Sequence, residues 1–197
     1  VQVLVGTQMV TKGLDFGNVG LVGIMNADTL LNYPHFRAHE RCFQLLTQVA
    51  GRAGRKDFRG LVLIQTYNPY HQILKQVTSG DYEGMFREQS YEREQFKYPP
   101  EVRLIKITLR HREWNRVEEG ADWFARGLRG VFGAGVLGPE YPPVSRIRNQ
   151  YHKQILLKIP KGQPLGPTKN SIKRIQKSFD AISNYRSIRL VYNVDYI

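Results

Sequence analysis

The chain has 197 residues, enough for one large domain or two small ones, and 41% of them are hydrophobic, which excludes a disordered basic tail. It carries 29 Lys+Arg against 17 Asp+Glu, a formal charge of +12, and the excess is concentrated in one half. Residues 1–100 hold 11 basic and 9 acidic side chains, residues 101–197 hold 18 and 8. A folded half with that imbalance is suited to a polyanion, most commonly nucleic acid. Cys42 is the only cysteine, which rules out an internal disulfide and suits a reducing cytoplasm. No signal pattern opens the chain and no apolar run reaches the length of a membrane span, so no membrane partner is expected. The start at Val1, without Met and inside an apolar run, leads us to expect the C-terminal piece of a longer protein.

In chain order, Val1 to Val5 predicts a short buried strand feeding the loop at Gly6-Thr7. Val19 to Met25 and Leu61 to Thr66 are further apolar runs without alternation, as expected for parallel strands covered on both faces. Between them, Phe36 to Ala53 is helical in spacing, with Phe43, Leu46, Val49 and Ala50 on one stripe and Gly54 placed to end it. Helices follow at about 70–78 and 82–96. Tyr98-Pro99-Pro100 then breaks the chain and marks a domain boundary between 1–97 and 98–197.

Beyond the boundary, Val102 to Arg110 alternates cleanly between apolar and basic residues. Residues 114–132 form a helix with Val117, Ala121, Phe124, Leu128 and Phe132 inward. Val144 to Ile147 and Gln154 to Ile159 are strands, Thr168 to Ser183 a basic amphipathic helix, and Ile188 to Val194 a last strand. The fold class expected is α/β. It comprises the distal part of a parallel-sheet lobe and then a β-α-β-β-α-β, ferredoxin-like α+β domain.

Two motifs carry chemistry. Gln44 to Arg55 reads QLLTQVAGRAGR, in which Arg52 and Arg55 stand three residues apart at the end of the helical pattern. On one helix face, two planar and permanently charged forks can grip a polyphosphate bidentately. Upstream lies Gly6-Thr7-Gln8-Met9-Val10-Thr11-Lys12-Gly13-Leu14-Asp15-Phe16. This strand–loop–strand–helix order resembles the last two motifs of the second, RecA-like motor lobe of superfamily-two helicases. With Ala27-Asp28, Phe36-Arg37-Ala38 and Glu40-Arg41, it is similar to the primosomal protein N′ family of bacterial replication-restart helicases.

The resemblance implies roles. Arg55 would be the arginine finger on the γ-phosphate of ATP, Arg52 a second phosphate contact, and Gln48 an orienting group for the attacking water or the phosphate. Thr7 and Gln8 would meet DNA phosphates; Lys12, Gly13 and Asp15 would couple that contact to the nucleotide. Asp15 as a turn residue and Thr7 as a helix cap are the plainer alternatives. ATP and Mg²⁺ would be completed by a first lobe, since the sequence holds no G-x-x-x-x-G-K-[ST] loop; the fragment alone is expected to be inactive. Zinc is expected only in the full-length protein, because one cysteine cannot make the family's metal site.

Two further patterns are set aside. Gly133 to Gly138 is formally G-x-G-x-x-G, but it follows a helix and runs into Pro139, so it reads as a loop. His35, His39 and Cys42 share a helix, yet offer only three ligands and no second half, so no metal is expected.

From Tyr141 to Phe179 there are nine Lys/Arg and no acid. Arg148, Tyr151 and Lys153 fall in this stretch, with Tyr141 and Tyr151 placed to stack on unpaired bases; Lys169, Lys173 and Lys177 line one helix face. The resemblance implies single-stranded and forked DNA, single-stranded-DNA-binding protein and other primosome proteins as partners. Gln154 keeps the last residue of the family's Arg-aromatic-Arg-aromatic-Gln tail-binding pattern, but Gln150 replaces its first arginine, for which Arg148 or Lys153 could substitute. The competing readings are a non-enzymatic nucleic-acid-binding module of ribosomal-protein type and an ATP-driven remodeller of RNA.

Overall fold

A computed structural model describes residues 3–7, 19–54 and 60–195, which fall into two units dividing between Glu92 and Arg93. The protein is mixed α/β, with a parallel sheet in the first unit and an antiparallel sheet in the second. Among the described residues no helix is long and apolar enough to cross a membrane.

In the first unit β1 (Leu21–Ile24) and β2 (Leu61–Ile64) pair in parallel, with Leu21 opposite Leu61 and Ile24 opposite Ile64. Among the described residues four helices belong with them: α1 (Asp28–Leu31), α2 (Ala38–Ala50), α3 (Gln72–Ser79) and α4 (Tyr82–Gln95), the last running past the division. Ile24 and Ile64 pack on a core of Ala27, Leu31, Cys42, Phe43, Leu46, Ile73, Leu74 and Met85. On the opposite side of the pleat Leu21, Leu61 and Leu63 are each more than half exposed. Among the described residues, the strands expected to be covered on both faces are covered on one, because the described core packs only on the Ile24/Ile64 side. Val3, Leu4 and Val5 are exposed and in no strand. Residues 1 and 2 of that expected strand lie outside the described residues.

The ends of the parallel pair are fastened by Asp28. Its carboxylate accepts from the Thr66 hydroxyl at 2.9 Å and from the Tyr67 backbone N–H at 3.1 Å. The Ala27 N–H donates to the Gln65 carbonyl at 2.9 Å. α3 begins where the His71 side chain accepts from the Ile73 N–H, and ends at Gly80, whose φ of +67° suits a residue without Cβ. Glu88 of α4 then holds both Gln72 and Gln76 of α3.

In the second unit β3 (Val102–His111), β4 (Val136–Glu140), β6 (Gln150–Pro160) and β7 (Arg189–Val194) form a sheet in the order β4-β6-β3-β7, with β5 (Arg146–Ile147) added against β6. Every pairing is antiparallel. α5 (Trp114–Phe132) and α6 (Leu165–Asp180) share a core with one face of the sheet. Ile105, Ile107 and Leu109 of β3 and Ile155, Leu157 and Ile159 of β6 meet Ala121, Phe124 and Leu128 of α5 and Ile172, Ile175 and Phe179 of α6. Of the inward residues expected on α5, Val117, Ala121, Phe124 and Leu128 are buried, and Phe132 packs at the margin. Asp195 closes β7 onto β3: its carboxylate accepts from the Leu104 N–H at 3.1 Å while its own N–H donates to the Leu104 carbonyl at 2.8 Å.

The second strand of this unit is not the expected one. The stretch read as a loop, Gly133 to Gly138, is a short 3₁₀ turn (Gly133–Gly135) followed by β4, while the predicted strand at 144–147 reduces to β5. The glycines serve strand approach rather than phosphate. A Cβ on Gly135 would lie 2.6 Å from the Lys158 carbonyl oxygen, and one on Gly138 2.8 Å from that of Gln154; Gly138 also holds a φ of +87°. α6 starts at Leu165, three residues earlier than expected, because Pro167 occupies the first turn, where a missing N–H is harmless.

Candidate nucleic-acid interface

The motor-motif residues are only partly described. Gln8, Lys12, Gly13, Asp15 and Arg55 lie outside the described residues, whereas Thr7 is exposed on non-strand backbone. Gln48 is exposed in the last turn of α2. Arg52 is not on the helix, contrary to the spacing argument. α2 ends at Ala50 with Gly51 as its cap, and the chain turns there, with the Arg52 N–H bonded to the Val49 carbonyl at 3.0 Å. The turn is tied back by the Gly54 N–H to the Val19 carbonyl at 3.2 Å, with Gly54 at φ +77°. Gly51, at the cap position, ends the helical run before Arg52. The half-buried Arg52 therefore sits in a loop anchored beside the start of β1.

The basic unit presents three sets of charged groups. On α6, Lys169, Lys173 and Lys177 are exposed, with Arg174, on the side away from Ile172, Ile175 and Phe179. The second set is the β5–β6 hairpin, where Arg148 is exposed at the turn and Arg146 and Tyr151 are register partners. The third lies on the sheet face opposite the helices and was missed by sequence reasoning. Arg189 of β7 is opposite Arg110 of β3, which is opposite His152 of β6. Directly opposed like charges disfavour a sheet, and nothing acidic is among these three positions. The Arg110 Nε is buried without a hydrogen-bond partner. Burial, and then the Arg110 charge, hold His152 below its ordinary pKa. The alternation of β3 already put Arg110 opposite the apolar positions, but only the strand register aligns it with Arg189 and His152.

Lys153 does not belong to any of these surfaces. Its register partner is Leu109, so it points to the helix side, where it is 5% exposed. Its ammonium donates to Glu118 of α5, with Asp122 at 3.8 Å and the Tyr141 ring centroid at 5.2 Å. The Tyr141 hydroxyl donates to the other Glu118 oxygen at 2.5 Å. Burial alone would raise the Glu118 pKa, but the bonds from Lys153 and Tyr141 and the Lys153 charge outweigh it and leave it lowered. Burial and the bond to Glu118 push the Tyr141 phenol well up. The expected DNA contact at Lys153 is thereby replaced by an internal ion pair, since a strand side chain cannot reach the opposite face. Gln154, one residue on, does face the Arg110 side, beside Thr108.

Sequence comparison agrees with this division. A family model described as the primosomal protein N C-terminal domain matches residues 94–195. Replication restart protein PriA of Bacillus subtilis is 43% identical over 158 residues, covering 79% of this chain and 20% of that protein. The Treponema pallidum protein of the same name is 43% identical over 163 residues, covering 81% and 25%, and that of Haemophilus influenzae 36% over 198 residues, covering 98% and 26%. The chain thus spans about a fifth to a quarter of the length of these relatives. With more than half of its residues matched by that model, and with the basic antiparallel unit coinciding with the match, the chain belongs to the primosomal protein N family and represents the C-terminal portion of a replication restart protein.

Proposed function

We propose that this chain is the fork-facing part of an ATP-dependent DNA helicase that recognises stalled or branched forks and restarts replication through primosome assembly. Residues 1–97 would be the distal part of a RecA-like lobe and 98–197 a ferredoxin-like DNA-binding domain. The element order β3-α5-β4-β6-α6-β7 and the strand order β4-β6-β3-β7 support the second assignment. ATP with Mg²⁺ would supply the phosphoanhydride whose cleavage drives the motor. Toward it this chain offers the exposed amide of Gln48, the Arg52 guanidinium and, outside the described residues, Arg55. The first lobe would hold the nucleotide, with zinc bound elsewhere in the whole, cytoplasmic protein. The chain by itself would neither hydrolyse ATP nor unwind DNA.

The observation that carries the DNA reading is the acid-free stretch from Tyr141 to Phe179, whose lysines at 169, 173 and 177 stand exposed on one face of a helix with a buried apolar stripe. The tail of single-stranded-DNA-binding protein would meet the other side of the sheet at Gln154. There Arg110 and Arg189 would supply the charge absent at Gln150, a part that the inward-turned Lys153 does not play. The relatives, all replication restart proteins, do not favour a ribosomal-type module with no motor.

Replacing Lys169, Lys173 and Lys177 with alanine tests this. Affinity for forked and single-stranded DNA should fall, and the slope of log K against log salt should shrink by about 2, from roughly 0.7 per lost phosphate contact on single strands. An unchanged slope would mean that the lysines merely face water.

A further inference from the structure

We infer that the β5–β6 hairpin is a junction-reading element: it stacks on the first unpaired nucleobase beside a duplex end. The inference rests on the DNA-binding reading above but concerns a different surface from α6. The hairpin is closed by two residues, Arg148 and Asn149, between the register pairs Arg146–Tyr151 and Ile147–Gln150. Both turn residues hold left-handed backbone, φ +48° and +59°, the conformation that matches the strand twist in two-residue hairpins. Asparagine tolerates that region and glycine adopts it freely, but an arginine there is strained. An arginine kept at a costly backbone position suggests that its side chain is what the tip requires.

The neighbouring groups indicate what the tip meets. The Arg146 guanidinium carbon lies 5.0 Å from the Tyr151 ring centroid, and one of its nitrogens donates to the Asn149 side-chain oxygen. Arg146 is thus braced twice within the hairpin while remaining exposed. A flat cation held over an aromatic ring extends the stack by one layer, and a nucleobase is the ligand whose face fits the next layer. Ile147, next along the strand and so on the opposite face of the hairpin, is 45% exposed, and Val144 before the strand 61%, apolar groups of the kind that wedge against a base step. Arg148 is exposed at the apex for the adjoining phosphate. No acid occurs from Tyr141 to Phe179 to repel the backbone.

The hairpin offers one stacking platform rather than a series. A continuous single strand is gripped by successive aromatic residues, and a closed duplex presents no free base face within reach. A single platform with neighbouring apolar groups and two arginines fits the one place where a duplex ends and an unstacked base begins.

The test uses the 197-residue chain and forked DNA carrying 2-aminopurine at the first unpaired position, within the single-stranded arm, or inside the duplex. Binding should change the emission at the first unpaired position most. Arg146→Ala with Ile147→Ser should abolish that change and reduce the preference for fork over plain single strand by roughly tenfold, the scale of one lost stacking contact. Arg148→Gly relieves the backbone strain, so its fold is secure, and it should still lose part of the fork preference. The lysine triple on α6 should weaken all three DNAs while leaving the emission change intact at saturation. Tip variants that weaken fork, single strand and duplex equally would overturn the inference, as would an emission change that survives them. Failure of the α6 variant alone would count against the lysine face and leave the hairpin standing.

Discussion

Removing the Glu118 carboxylate should destabilise the second unit far more than removing the Lys153 ammonium, although the two form one ion pair. The Lys153 side chain is 6% exposed and that of Glu118 31%. Breaking a buried pair by deleting one partner costs about 3–5 kcal/mol, because the survivor stays in low dielectric uncompensated. For Glu118→Ala the survivor is the buried ammonium, with only Asp122 at 3.8 Å as a partial replacement, and the Tyr141 hydroxyl also loses its acceptor at 2.5 Å. A cost of about 2–4 kcal/mol follows. For Lys153→Met the survivor is a partly exposed carboxylate that keeps the Tyr141 hydrogen bond, and methionine refills most of the stem's volume, so a cost below about 1 kcal/mol is expected.

Both tryptophans, Trp114 and Trp123, lie on α5, so their emission during urea unfolding reports this unit. The Glu118 contribution also has a pH signature. Its pKa is lowered in the folded state, so the stabilisation is present above the ordinary value of 4.5 and is lost as pH falls through the lower folded value. Stability of Glu118→Gln should therefore depend less on pH below 4.5 than that of the parent. Equal costs for the two single variants, or a Glu118→Ala cost under about 0.5 kcal/mol, would refute the assignment of Lys153 as the desolvated partner. Lys153→Met should also leave DNA affinity unchanged.

Two other variants probe the fold. Gly138→Ala places a Cβ 2.8 Å from the Gln154 carbonyl oxygen at a φ of +87°, and should cost about 1–3 kcal/mol in the same urea assay; Gly133→Ala, with open space around it, isolates the backbone share. Cys42 is fully buried and its thiol is pushed up to about 11 by burial, so a thiol reagent at pH 8 should label it only under conditions that unfold the first unit. Labelling of the native chain at the rate of a small thiol would contradict that packing.

Much of the second unit was legible because its elements announce themselves by period. The alternation from Val102 and the helical stripe of Val117, Ala121, Phe124 and Leu128 each need only local geometry to be read. β4 was not legible in the same way. Its glycines are punctuation in one dimension and contact points in three, and their meaning depends on Lys158 and Gln154 lying across the sheet. The basic helix face was readable from a four-residue spacing, whereas the direction of Lys153 hung on strand register, which moves every side chain to the other face when it slips by one residue.

The amino-acid order alone determined the family resemblance, the basic half and the secondary elements that bury its core, since motif, charge and period are all local properties. Only the tertiary structure decided that Lys153 serves Glu118 instead of a ligand, that Arg189, Arg110 and His152 share a row, and that Arg52 leaves its helix for an anchored loop. The first two outcomes are set by which residue stands across the sheet, a relation between distant parts of the chain that no local spacing encodes; the third begins locally at the Gly51 cap and is fixed by the bond from Gly54 back to Val19.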